Sequence, residues 1–328
     1  MKVLVIGGAG YIGSHVCRTL LDSGYQVAVF DNLSSGLREN LFPAADFIEG
    51  DILDHNALSQ CVSAGYDALI HLAALKAAGE SMAEPERYSI NNINGTINIL
   101  NAASKAGVSN IVFSSSSAVY GEPKYLPVDE RHPTKPVNYY GFTKLEIEKF
   151  LSWYDRLKNI RFAALRYFNA AGYDGEGRIG GLEKNPANLL PIIMEVAAGL
   201  RDQLEVYGDD YETPDGTCIR DYIHVSDLAS GHLSALNYIL AENKSLVLNL
   251  GSEAGLSVRE MLETARRITG KPIPAVVTGR RPGDPAKLIS SARLAKKTLA
   301  WESRHSSAES LIQSSWYAYQ RHYGLATK

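Results

Sequence analysis

The sequence predicts an α/β chain: a doubly wound parallel sheet followed by a smaller mixed α/β domain. Two observations carry this. Up to about residue 170, short near-continuous apolar runs alternate with helical segments, the pattern of parallel strands covered on both faces. The first run also opens into a turn carrying Gly7, Gly10 and Gly13 and then directly into a helix. That is a βα unit shaped for a phosphate group.

Each element follows in order. Residues 2–6 form an apolar strand, and a helix covers 11–23. Strands at 26–30 and 46–49 stop at Asp31-Asn32 and Gly50-Asp51. A helix near 56–63 and a strand at 68–72 come next, then one long helix over 85–106. A strand at 111–115, a helix over 137–157 and a strand at 162–167 complete a dinucleotide-binding domain, residues 1–170. The span 172–185 is rich in glycine and charge and reads as a loop. Helices near 188–200, 226–240, 258–269 and 308–322, broken by short apolar pieces at 246–250 and 275–277, make the smaller domain, residues 171–328.

At 328 residues the chain has room for both units. A net charge of −3 gives no reason to expect nucleic acid or an anionic membrane as partner. Cys17, Cys61 and Cys218 are odd in number and widely spaced, which fits reduced thiols better than disulfides. With neither a secretory signal nor an apolar membrane span in view, the expectation is a cytoplasmic protein. His15, His71 and His224 lie on different elements without acidic or thiol partners at ligand spacing, so core or capping roles are expected and no metal.

Glycine at 7, 10 and 13 permits a tight turn, close approach of backbone to a pyrophosphate, and close helix-on-strand packing. Asp31, about twenty residues on, suits the hydroxyls of an adenosine ribose. A carboxylate there repels a 2′-phosphate, and the next arginine is Arg38, so NAD is favoured over NADP. Asp51 and Ile52 would sit over the adenine edge, although Asp51 could equally cap a helix.

Tyr140 and Lys144 are four apart on a predicted helix and project from one face. A free phenol has a pKa of ~10 and is a poor base at neutral pH. A neighbouring ammonium and a cationic nicotinamide would favour the phenolate. Lowering that pKa by ~3 units takes roughly 4 kcal/mol. Ser116 closes the strand at 111–115, at the ligand-binding end of the sheet.

With the glycine turn, Ser116, Tyr140 and Lys144 in this order, the chain resembles the extended short-chain dehydrogenase/reductase family, built on a Rossmann sheet, over essentially its whole length. The strings Asp31-Asn32-Leu33, His71-Leu72-Ala73-Ala74-Leu75-Lys76, Arg166-Tyr167-Phe168-Asn169 and Arg220-Asp221-Tyr222 are similar to its UDP-sugar 4-epimerases. The resemblance implies Tyr140 as base, Lys144 as its support and Ser116 as hydrogen-bond partner of the reacting oxygen. It places cofactor contacts at Tyr11, Ile12, Asn32, Leu33, Ser34, Ser35, Gly36, Leu72, Ala73, Ala74, Lys76, Asn91 and Phe168. It places UDP-sugar contacts at Asn169, Asn188, Leu189, Glu205, Val206, Tyr207, Arg220, Arg281, Asp284 and Leu288. Arginines suit a diphosphate through bidentate bonds.

Leu288 stands where some family members carry a tyrosine that excludes N-acetylated sugars, so turnover of UDP-N-acetylglucosamine is expected as well. In the family the helices matching 85–106 and 137–157 form a dimer contact, which implies a homodimer. Ser117 and Ala118 lack the acidic groups of sister dehydratases. A 4-epimerase of UDP-glucuronate or a UDP-pentose shares the same core chemistry and stays open. So does a NAD-binding regulator on the same fold, which would have no need of Tyr140, Lys144 and Ser116 together.

Overall fold

Seven parallel strands form the larger sheet of the computed structural model, which describes residues 1–183, 186–281 and 283–325. In the first part, β1 (Lys2–Ile6), α1 (Tyr11–Asp22), β2 (Gln26–Asp31) and β3 (Asp46–Glu49) are followed by α2 (His55–Val62) and β4 (Ala68–His71). Then come α3 (Ala78–Ala83), α4 (Pro85–Tyr88), α5 (Gly95–Ala106), β5 (Asn110–Ser116), α6 (Tyr139–Lys158) and β6 (Arg161–Tyr167). The rest comprises β7 (Asn169–Ala171), α7 (Leu189–Ala197), β8 (Leu204–Tyr207), β9 (Ile219–His224), α8 (Val225–Glu242) and β10 (Leu246–Leu250). It ends with β11 (Gly255–Ser257), α9 (Val258–Thr269), β12 (Ala275–Thr278), β13 (Lys287–Leu288), α10 (Arg293–Leu299) and α11 (Ala308–Tyr323).

The large sheet runs β3-β2-β1-β4-β5-β6-β10, every pair parallel. Its order reverses between β1 and β4, and such a reversal opens a crevice at the carboxyl ends of those strands. One face is buried by α1 and α8 around Val3, Val5, Leu165 and Leu236, the other by α2, α5 and α6 around Leu4, Ile6, Ile99 and Ile147.

Two expectations need correction. The apolar piece Leu246–Leu250 does not belong to the smaller unit: as β10 it pairs with β6 and completes the large sheet, and α8 packs on that sheet too. A single division at residue 170 therefore does not hold. The long helix expected over 85–106 is α4, a π-helical turn at Ser89–Asn94, and α5. That wide turn accommodates the buried Asn92, whose side chain bonds both the amide (2.9 Å) and the carbonyl (3.0 Å) of Leu75. The loop expected over 172–185 ends in Lys184 and Asn185, which lie outside the described residues.

A smaller sheet, β11-β9-β13 with β7 beside β9, and the pair β12-β8 pack with α7, α9 and α11 around Tyr222, Met261, Leu311 and Trp316. His224 caps α8 by accepting the Ser226 amide.

Candidate active site

The turn after β1 is shaped by glycines, and at two of them, Gly7 and Gly13, a side chain would meet backbone. Gly7 has φ +88°, and a side chain on it would meet the Ala73 amide at 2.6 Å. A Cβ on Gly13 would lie 2.1 Å from the Gly7 carbonyl oxygen. Helix α1 starts at Gly10 without a side-chain cap, so the first-turn amides, which have no partner within a helix, are open to an anion.

Asp31 ends β2 and accepts from the amides of Ala9 (3.0 Å) and Leu33 (2.8 Å). Two of a carboxylate's roughly four acceptor positions are thereby used, leaving room for ribose hydroxyls. Burial pushes its pKa above the usual carboxylate range. Asp51 accepts from the Asn32 side chain at 2.9 Å, whereas Asp54 caps α2 through the Asn56 and Ala57 amides. The capping role open to Asp51 thus belongs to Asp54. Ser34 and Ser35 are exposed, Gly36 is buried against Ala9 and Asp31, and Ile52 is buried beneath Gly95.

Leu72 and Ala73 both donate to the Ile6 carbonyl, at 2.8 and 3.0 Å, which sets residues 72–74 beside Gly7. Asn91 donates to the Asn92 side chain in the π turn. Lys76 forms an ion pair with Glu183. Tyr11 donates to the Gly172 carbonyl (2.5 Å), and Asn40 bridges the Ala9 carbonyl (3.0 Å) and the Gly181 amide (2.9 Å). Residues 172–183 are thereby fastened across the glycine turn. These donors, acceptors and glycine contacts fit a dinucleotide.

Tyr140 lies in the first turn of α6, capped by Asn138. A Cβ on Gly141 would sit 2.4 Å from the Ala118 carbonyl oxygen, so the helix approaches the turn after β5 closely and brings the Tyr140 phenol to the Ser116 hydroxyl, which favours its phenolate. The Lys144 ammonium, fully buried, donates to the Ser114 carbonyl at 2.7 Å and lies 5.8 Å from the centre of the Tyr140 ring. The structure thus brings the three predicted catalytic side chains together.

Burial dominates their electrostatics. Burial pushes the Tyr140 phenol up to about 12, with Ser116 opposing, and pulls Lys144 down to about 7, with Glu148 opposing. Burial therefore opposes the phenolate, and the charges that favour it have to overcome burial as well as the ordinary phenol value.

The small sheet carries three of the predicted substrate residues, Asn169, Arg220 and Leu288. Register sets Leu288 opposite Arg220, and Asn169 opposite Tyr222 on the same strand. Arg220 reaches Asp284 at 3.4 Å and the Pro285 carbonyl at 2.7 Å. Beside it, β8 and β12 place Arg281 over the Tyr207 ring at 3.7 Å, while Tyr207 donates to Glu205 at 2.5 Å and Val206 is buried. Leu288 and Phe168 share one cluster with Val119 and Tyr120. Asn188 caps α7 without a side-chain bond, and Leu189 begins that helix.

Sequence reasoning missed a buried polar chain behind Lys144. Glu148 receives Arg166 through two bonds (2.9 and 2.6 Å) and Ser115 (2.5 Å); Arg166 donates to Tyr120 (3.1 Å), which donates to Asn249 (2.6 Å). A carboxylate four residues after Lys144, on the same helix face, was the available signal.

The NAD dependent epimerase/dehydratase family matches residues 3–251. A UDP-glucose 4-epimerase of Lacticaseibacillus casei is 45% identical over 323 residues, covering 98% of each chain. The crystal structure of UDP-glucose 4-epimerase from Brucella ovis in complex with NAD superposes with TM-score 0.94 at 43% identity, covering 97% of this chain and 98% of that one. The UDP-Glc/GlcNAc 4-epimerase of Campylobacter jejuni gives TM-score 0.86 at 37% identity, covering 97% and 99%.

Proposed function

Because the chain belongs to the NAD dependent epimerase/dehydratase family, we propose that it interconverts UDP-glucose and UDP-galactose by inverting C4, with NAD as its cofactor. The observation that carries this reading is the triad itself. Ser116, Tyr140 and Lys144 converge at the carboxyl end of β5, the end of a parallel sheet where ligands bind. A binding-only protein on this fold would not need them.

The Tyr140 oxygen takes the proton of the sugar 4-hydroxyl and later returns it. Ser116 orients that hydroxyl, and Lys144 supports the phenolate by charge. Burial holds the Tyr140 proton on, so the base form requires further positive charge in the crevice. The oxidised cofactor, when bound, supplies that charge together with reversible hydride acceptance at C4, so the sugar passes through a 4-keto form. Glycine amides at the start of α1 hold the pyrophosphate, Asp31 the adenosine ribose, and Lys76, Asn91 and Phe168 the nicotinamide side. Arg220 and Arg281 take the UDP diphosphate, with Asp284, Asn169, Asn188 and Tyr207 completing that pocket. Charge-assisted arginine bonds anchor the nucleotide while the sugar ring turns over.

Leu288, packed with Phe168 and Tyr120, is shorter than the tyrosine some relatives carry there, which supports UDP-N-acetylglucosamine as a second substrate. A cytoplasmic homodimer completes the reading. Its support is an exposed apolar face on α6, where Phe142, Trp153 and Leu157 are 40, 53 and 68% exposed on one side.

The test is incubation of the purified protein with UDP-glucose, UDP-galactose, their N-acetylated counterparts and UDP-glucuronate, followed by separation of products. Equilibration of the hexose pair, with transient reduced-nicotinamide absorbance, is expected. Turnover of UDP-glucuronate alone would replace the assignment.

A further inference from the structure

We propose that Glu148 is a positioning residue of this reaction: its carboxylate, one helical turn beyond Lys144 on the same face of α6, is the buried negative charge that favours the ammonium behind Tyr140. This rests on the roles given above to Tyr140 and Lys144.

The three side chains line one face of α6 at residues 140, 144 and 148, and side chains four apart in a helix are stacked neighbours. Lys144 and Glu148 are 2% and 6% exposed. The carboxylate is immobilised from two strands, by Ser115 on β5 and by the two bonds from Arg166 on β6. Packing alone gives little reason for charge at this place, because apolar side chains of similar volume stabilise an interior as well or better.

Each element facing Lys144 supplies a different group. On α6 these are Tyr140 and Glu148, and on β5 the Ser114 carbonyl and the Phe113 ring at 4.8 Å. On β4 it is His71, which burial and then the Lys144 charge hold neutral, with a pKa of about 3. On β6 they are Arg166, beyond Glu148, and Tyr167, raised well above the ordinary phenol value by burial. Of these groups Glu148 alone brings negative charge. Burial drives Lys144 toward neutrality and Glu148 opposes it. A buried ammonium poised close to physiological pH is sensitive to that one charge.

The experiment is the pH dependence of kcat for wild type, Glu148→Gln, Glu148→Asp and the double variant Glu148→Gln with Arg166→Met. Loss of the Lys144 proton sets the alkaline fall in kcat. Glu148→Gln should move that fall about one pH unit lower, with KM for the UDP-sugar within about twofold. Glu148→Asp keeps the charge but loses the two-bond fit to Arg166, and should leave the fall in place even if kcat drops. The double variant avoids stranding a buried guanidinium and covers the case in which Glu148→Gln does not fold; because it also removes the repulsion of Arg166, its fall should move in the same direction as for Gln but by less. Profiles that scale down uniformly without moving, or Gln and Asp moving alike, would overturn the proposal. A wild type that does not epimerise would instead sink the reading of Tyr140 and Lys144 on which it stands.

Discussion

Replacing Gly13 by alanine separates two jobs of the glycine turn. The added Cβ would lie 2.1 Å from the Gly7 oxygen, 2.8 Å from the Gly8 Cα and 3.0 Å from the Gly7 carbonyl carbon. A comfortable C···O contact is about 3.3 Å, so more than an ångström must be found. All three neighbours are backbone, so no side chain can swing aside. The start of α1 has to lift, although Val16, Cys17 and Leu20 anchor it in the core. Overpacking of this kind costs about 3 kcal/mol or slightly more, and alanine returns about 1 kcal/mol of helix propensity. The expected net loss is about 2 kcal/mol. Denaturant unfolding measures it, and NAD content after gel filtration reports on the turn. Gly10→Ala is the control: at φ −74° its Cβ would meet only the Gly7 oxygen, at 3.3 Å. It should keep stability within about 0.5 kcal/mol and still lose NAD, because the methyl would occupy the approach to the pyrophosphate. Wild-type stability in Gly13→Ala, or full NAD retention in Gly10→Ala, would refute the reasoning.

Tyr140→Phe should lower turnover by about 10²–10⁴ with NAD still bound, since it removes proton transfer and little else; near-normal kcat would mean another group is the base. Asp31→Ala strips the acceptor from the Ala9 and Leu33 amides, so it should cost about 1–3 kcal/mol of stability as well as NAD retention. Leu288→Tyr should lower kcat/KM for UDP-N-acetylglucosamine at least tenfold and leave UDP-glucose within about threefold, because steric exclusion acts on the larger sugar; equal losses on both sugars would remove Leu288 as a specificity determinant.

What the sequence made legible was local. The glycine turn, the acid ending β2 and the Tyr140–Lys144 pair are short-range patterns, and each landed on the element expected for it. What escaped depended on distant pairing. Leu246–Leu250 is five residues of ordinary apolar sequence, and only its partner, 83 residues earlier in register, makes it part of the large sheet. Arg166 and Glu148 are 18 residues apart on different elements, so their bond has no spacing signature. The electrostatics were legible only in part for a related reason. The motif tells which charges are near Tyr140, whereas the depth of burial, fixed by the whole fold, decides which effect wins.

The late return of β10 also bears on how the chain is made. Until residue 250 has been synthesised, β6 stands as an unprotected rim, its amides and carbonyls free to pair with another chain. At ordinary elongation rates the stretch from Tyr167 to Leu250 takes roughly 4 to 17 s to emerge. The nucleotide-binding half therefore cannot mature ahead of the half that follows it. Damage to α8 or β10 would be felt first as aggregation of nascent chains and only second as lost activity.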